Sequence, residues 1–228
     1  MKLTKVLLNE MVTLLNFIRT NGFYMSNLEE KKSNSAEPVK KRMIVERKEL
    51  FSKDEALEGK HSVFVVFVTE PYHHYRTKLI EEGSKAWDLK VGLLGILMRR
   101  DGSLGFAGGK VDEGETLEQA AVREVKEEIN YDVNTRKLNM FCSHYMKDDN
   151  MEQHTHVMVC YVTPEEIYDI RSGAVNAEHS RLETAAFNVV HMLSKGIDNL
   201  MACNFAGTGK DEFKLLIDSG IIERPMSI

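Results

Sequence analysis

Three glutamates, Glu124, Glu127 and Glu128, stand in the stretch "GKVDEGETLEQAAVREVKEEINY" (Gly109 to Tyr131), which otherwise reads as a helix packed into a core. Thr116 followed by Gln119 forms a capping-box pattern that starts the helix near Leu117, and Asn130 can end it because asparagine tolerates the left-handed conformation. At roughly 100° per residue, Leu117, Ala121, Val125 and Ile129 trace one apolar stripe, and Glu124 and Glu128 project within about 20° of Leu117. The carboxylates are therefore expected at the edge of the buried face. There, like charges one turn apart repel, and lost hydration raises their pKa. A divalent cation reverses that balance, because Mg²⁺ and Mn²⁺ take oxygen ligands together with waters and substrate phosphates. Arg123 adds a fixed cation able to orient Glu127 across one turn. The competing reading of the helix alone is a solvated acidic face with i,i+4 pairs, and the helix by itself leaves both open.

The loop in front of the helix favours the first. "GFAGGKVDEGE" places Gly105, Gly108, Gly109 and Gly114 between a strand and a helix, where tight turns and free amides suit close approach of phosphate oxygens. A glycine-rich loop feeding a carboxylate helix supplies both halves of a site for a metal-bridged pyrophosphate.

The elements that must position these residues follow from period and punctuation. "HSVFVVFV" (61–68) reads as a buried strand, followed by a polar loop with Pro71 and the pair His73 and His74, which reads as loop rather than metal site. "VGLLGILMRR" (91–100) is a second strand, closed by the Asp101-Gly102 turn. After the acidic helix come strands over 137–146 and 155–163 with "DDNMEQH" as their turn. A helix opens at Pro164, a late strand over 182–193 runs into a helix, and a terminal helix over 210–222 can be capped by Gly220. Strands interleaved with helices predict an α/β sandwich with a mixed sheet.

From Gly109 to Tyr131 the chain resembles the Nudix box: Gly109, Glu115, Arg123, Glu124, Val125, Glu127 and Glu128 match in register, while Asn130 and Tyr131 replace the usual glycine and aliphatic residue. Around it, "GKHSVFVVFV", "LMRRDGSLGFAGGKVD", "GAVNAEHSRLET" and "NFAGTGKDEFKLLIDSGII" are similar to segments of the small nucleolar RNA decapping and inosine diphosphatase branch, over roughly 59–223. The resemblance implies a Nudix α/β/α sandwich and a pyrophosphohydrolase using Mg²⁺ or Mn²⁺. It implies Glu124, Glu127, Glu128 and Glu183 as metal ligands with Gly108 beside them, and these glutamates with Arg123 as the catalytic set. Arg99, Phe106, Phe64, Gly109 and Glu212 become the substrate-binding positions. Phe64 stands where the branch has a base-contacting histidine and Glu212 where it has a glutamine, so the inosine preference does not carry over. The implied substrate is a nucleoside diphosphate derivative, capped RNA ends included. The alternatives are a housekeeping pyrophosphatase for free nucleotides, nucleotide sugars or dinucleotides, and a silent nucleotide-sensing domain, against which the full Arg-Glu-Val-Lys-Glu-Glu core speaks.

At 228 residues the chain has room for one sizeable domain with extensions, expected here over 59–228. A net charge of -5 and a pI of about 5.9 give no global pull toward nucleic acid. RNA would have to be held by the lysines and arginines at 31–48, read first as a solvated polar arm over 25–58, or by Lys210 and Lys214. Residues 1–24 read as an amphipathic helix or as an extension ahead of a start at Met25. Asn9 and Glu10 interrupt the apolar run, which is too short and polar to span a membrane. Cys142, Cys160 and Cys203 are odd in number and widely spaced, as in a reduced compartment. The expected setting is the cytoplasm, or the nucleus in a eukaryotic cell, with no membrane partner and a homodimer as one assembly.

Overall fold

Near-continuous apolar runs along the central strands require cover on both faces of the sheet. The computed structural model describes residues 44–45, 60–73, 90–148 and 151–223. Its strands are β1 (Ile44–Val45), β2 (His61–Val68), β3 (Tyr72–His73), β4 (Lys90–Val91), β5 (Leu93–Arg99), β6 (Leu104–Gly105), β7 (Ala107–Lys110), β8 (Leu138–Asp148), β9 (Met151–Tyr161) and β10 (Thr184–His191). Its α-helices are α1 (Leu117–Ile129), α2 (Pro164–Gly173), α3 (Ser194–Ala202) and α4 (Gly209–Asp218). The main sheet runs β1-β8-β9-β2-β5-β10, with β7 paired to β2 and β6 to β5, while β3 and β4 form a separate ribbon. β2 and β9 are parallel, from His61 opposite His154 to Val68 opposite Tyr161, and the other pairings are antiparallel, so the sheet is mixed.

Side chains divide between two cores. Val63, Val65 and Phe67 of β2 join Leu93 and Leu97 of β5 against Leu117, Ala121, Val125 and Ile129 of α1 and Ile167 and Ile170 of α2. Val66, Val68, Leu94 and Ile96 face Ile197 and Leu200 of α3 and Phe213 and Leu216 of α4. The result is the expected α/β/α sandwich. Gly95 is required where β5 crosses Phe187 of β10, since a Cβ there would lie 2.3 Å from the ring.

Both caps of α1 form as the sequence indicates. The Thr116 hydroxyl accepts from the Gln119 N–H at 3.2 Å and the Gln119 side chain accepts from the Thr116 N–H at 2.9 Å, while Asn130 takes the left-handed conformation at φ 53°. α2 carries a second capping box, Thr163 with Glu166. The stretch expected as a turn, Asp148 to His154, is mostly strand, because β9 begins at Met151 and His154 already pairs with His61. Met151, Glu152 and Gln153 pair with Asp148, Lys147 and Met146 of β8, and this pairing overrides the polar composition of the stretch. The strand expected over 182–193 occupies 184–191 with α3 separate behind it. Gly220, at φ +77°, follows α4 and lets Ile222 N–H reach the Leu216 carbonyl at 3.0 Å. Ile44–Val45, inside the stretch read as a polar arm, pairs with β8 at Met146 and Tyr145. The rest of 1–58 and His74 lie outside the described residues.

Candidate active site

α1 stands against β7, and its anchoring residues Leu117, Ala120, Ala121, Val125 and Ile129 are all fully buried. That anchoring turns Glu128 inward, where it is 3% exposed, inside the packed face rather than at its edge as the helical projection indicates. The difference arises from β7: the Gly108 N–H donates to Glu128 Oε2 at 2.8 Å, giving the buried carboxyl a partner that no helix wheel contains. Burial pushes Glu128 up to about 8, the Gly108 bond opposes the shift, and the charges of Glu124 and Glu183 add to it. A Gly108 amide expected to be free for phosphate is thus held by a carboxyl. Gly108 itself sits at φ +148°, with space for a Cβ closed by the Val63 carbonyl at 2.1 Å.

Glu124 is 13% exposed and lies against Gly109, where a Cβ would come within 2.5 Å of Glu124 Oε1. Burial raises the Glu124 pKa and Arg123 opposes it. Arg123 organises the outer side of the cluster. Its Nε and Nη2 donate to Glu115 at 2.9 Å each, Nη1 to Glu124 at 2.9 Å and Glu127 at 3.4 Å, and Nη2 also to the Lys110 carbonyl at 2.9 Å. The expected Arg123–Glu127 pair exists, but the fork on Glu115 is the main bond, and it holds the Glu115 pKa down. Glu115 matches the family motif yet was not among the expected site residues. A second addition is His179, whose Nδ1 is buried without a hydrogen bond among the described residues and lies 3.9 Å from Glu127 Oε2. Its place four residues before Glu183 in "HSRLET" was the available signal.

Glu183 precedes β10, exposed, with its charge felt at Glu128. Its carboxylate has no hydrogen bond or ion pair among the described residues. Arg99, at the end of β5 opposite Thr184, links two parts of the site. Its charge reaches Glu128, and it lines a cavity of about 460 Å³ together with Phe64, Phe106, Gln153, Thr155 and Glu212. Four of the five expected substrate positions therefore meet in one cavity, of a size for a nucleotide-sized ligand. Gly109 does not line it and instead backs Glu124. The loop 206–209, Gln153 and Thr155 were not anticipated, because they come from elements distant in sequence. Cys142, Cys160 and Cys203 do not line the cavity.

The metal reading can be tested against this arrangement. Among the described residues no three His, Cys, Asp or Glu side chains already converge as a metal cluster. The donors nevertheless fit a hard divalent ion: Glu124 and Glu128 are poorly solvated oxygen donors that repel one another, a charge surplus that such an ion removes.

The family described as Nudt16-like, U8 snoRNA-decapping enzyme-like, matches residues 72–218. The chain belongs to this Nudix family. Membership places it among pyrophosphohydrolases. No curated protein matches the sequence. Among solved structures, a MutT/nudix family protein from Listeria innocua is 17% identical with a TM-score of 0.43, covering 70% of this Nudix chain and 92% of that one. One from Enterococcus faecalis is 13% identical with a TM-score of 0.42, covering 60% of this chain, which spans 45% of that protein's length. A bifunctional NMN adenylyltransferase/ADP ribose pyrophosphatase from Francisella tularensis, complexed with AMP and a manganese ion, is 15% identical with a TM-score of 0.42, covering 70% of this chain and 41% of that one.

Proposed function

We propose that the protein hydrolyses a pyrophosphate bond in nucleoside diphosphate derivatives, capped RNA ends among them. The observation that carries this reading is Arg99, which lies between a carboxylate cluster suited to phosphate chemistry and an aromatic cavity suited to a nucleoside. Glu124, Glu127 and Glu128 would hold Mg²⁺ or Mn²⁺, and such an ion, when bound, neutralises charge on the phosphate oxygens. Arg123 fixes Glu124 and Glu127 from behind through the Glu115 fork, so the ligands are positioned before substrate arrives. Arg99 meets the phosphates, and Phe64 and Phe106 line the space for the base. Of the carboxylates, Glu183 is the proposed general base: Glu124 and Glu127 are held by Arg123 and Glu128 by Gly108, whereas Glu183 has an oxygen open to water. The three free thiols support a reducing compartment, cytoplasm or nucleus.

The test is a panel of guanosine and inosine di- and triphosphates, ADP-ribose, NADH and capped RNA, each with Mg²⁺ or Mn²⁺. A Glu127→Gln, Glu128→Gln double variant is the control. Cleavage between phosphates by the native protein and a loss of at least about 100-fold in the variant are expected. No cleavage of any member, or equal cleavage by the variant, removes the hydrolase reading. Turnover of free nucleotides with capped RNA untouched removes RNA ends alone.

A further inference from the structure

The cavity contains an acid for which the phosphate chemistry has no use. Glu212, on the first turn of α4, is 2% exposed and lines the cavity that Phe64, Phe106 and Arg99 also line. Its Oε1 accepts the Thr208 hydroxyl at 2.7 Å, and this is the carboxyl's one hydrogen bond among the described residues. Oε2 is left without a protein donor there. Glu212 lines the cavity, so a ligand there can supply the missing N–H.

We infer that Glu212 selects the substrate by the hydrogen-bonding edge of its ring, accepting two adjacent N–H groups of a guanine-like base and disfavouring a hypoxanthine-like base that lacks the exocyclic amine. This rests on the hydrolase reading for the phosphate end of the ligand and goes beyond it in assigning the base. An ionised carboxyl only accepts, through two oxygens that can take parallel N–H bonds while Oε1 keeps its bond to Thr208. Guanine offers a ring N–H beside an amino group. Hypoxanthine offers the same ring N–H but a C–H where guanine has the amine, so one oxygen of the pair goes unmatched. Adenine and cytosine turn a ring lone pair toward the acid, and uracil flanks its N–H with two carbonyls. An amide at this position, with one donor and one acceptor, suits the N–H and the carbonyl that both bases share and so does not read the amine. Exchanging Glu212 for glutamine should therefore erase the preference for guanine rather than merely weaken binding.

The experiment compares guanosine and inosine diphosphates as substrates of the intact protein, native and Glu212→Gln, at pH 8, where Glu212 is ionised. Glutamine keeps the side-chain shape and the acceptor for Thr208, and a melting curve for each protein confirms folding. The native protein is expected to favour guanosine by about tenfold in kcat/KM, chiefly through KM, and the variant to lose that preference. Equal kcat/KM values in the native protein, or a preference unchanged in the variant, overturn the inference and leave the hydrolase reading intact. Titration calorimetry with guanosine and inosine monophosphates reads base selection without turnover. The same ordering is expected there, and no difference between the two, or no binding of either, overturns the inference. Selective guanosine monophosphate binding without hydrolysis of any diphosphate sustains the role of Glu212 while sinking the hydrolase reading.

Discussion

Glu212 carries a stability signature that is separate from any substrate. Burial pushes its carboxyl up to about 7 from 4.5, with the Asp211 charge adding and the Thr208 hydroxyl opposing; Arg99 and Asp101 line the same cavity. The unfolded chain releases this proton near 4.5 and the folded chain near 7, so across that window the unfolded state gains the charged form first and the protein loses stability as pH rises. Below 4.5 both states are protonated and nothing is lost. Glu212→Gln removes the penalty: urea unfolding should show the variant more stable by up to about 3 kcal/mol at pH 8 and level with the native protein at pH 4. Arg123 illustrates a different residue-level principle. Its whole guanidinium fork is engaged by Glu115, Glu124, Glu127 and the Lys110 carbonyl, an arrangement that a lysine cannot reproduce.

At the scale of elements, β7 and α1 act as one unit, and the two ends of that unit should respond unequally to mutation. Thr116→Ala removes a capping hydroxyl and should cost about 1 kcal/mol. Gly108→Ala drives a methyl into the Val63 carbonyl on the neighbouring strand at a backbone angle that side chains rarely adopt, and should cost at least about 2 kcal/mol. Thermal or urea unfolding of the two variants, compared with the native protein, checks the order. This contrast also marks what the sequence makes legible. The limits of α1, its caps and its apolar stripe are local, encoded in Thr116, Gln119, Asn130 and a 3.6-residue period. The burial of Glu128 and the Glu115 fork depend on a strand and a loop folded back over the helix. Nothing in the helix's own spacing states where Gly108 will point.

The whole molecule sets the cavity apart from the carboxylates by drawing on distant segments. Phe64 comes from β2, Thr155 from β9, Arg99 from β5 and Glu212 from α4, assembled by the parallel β2–β9 pairing and by α4 packing on the opposite face from α1. Family resemblance identified four cavity residues one by one; their union with Thr155, Gln153 and the 206–209 loop needed the tertiary structure. The same layering predicts a global response to metal. An ion that binds only the folded carboxylate cluster should add about 3 kcal/mol at one hundred times its Kd, read as a higher melting temperature that a chelator reverses and a Glu124→Gln, Glu128→Gln variant lacks. The sandwich also sorts the thiols. Cys142 and Cys160 lie within the layers, and burial pushes the Cys160 thiol up to about 12, whereas Cys203 stands exposed at the end of α3. A maleimide should therefore couple to one sulfur per native chain and to three after denaturation, countable by mass spectrometry. Because Cys203 adjoins Asn204, whose carbonyl ties the strand edge at Leu104, a fluorophore placed there without any engineering would report on the rim of the cavity lined by Phe64 and Phe106 as ligands enter.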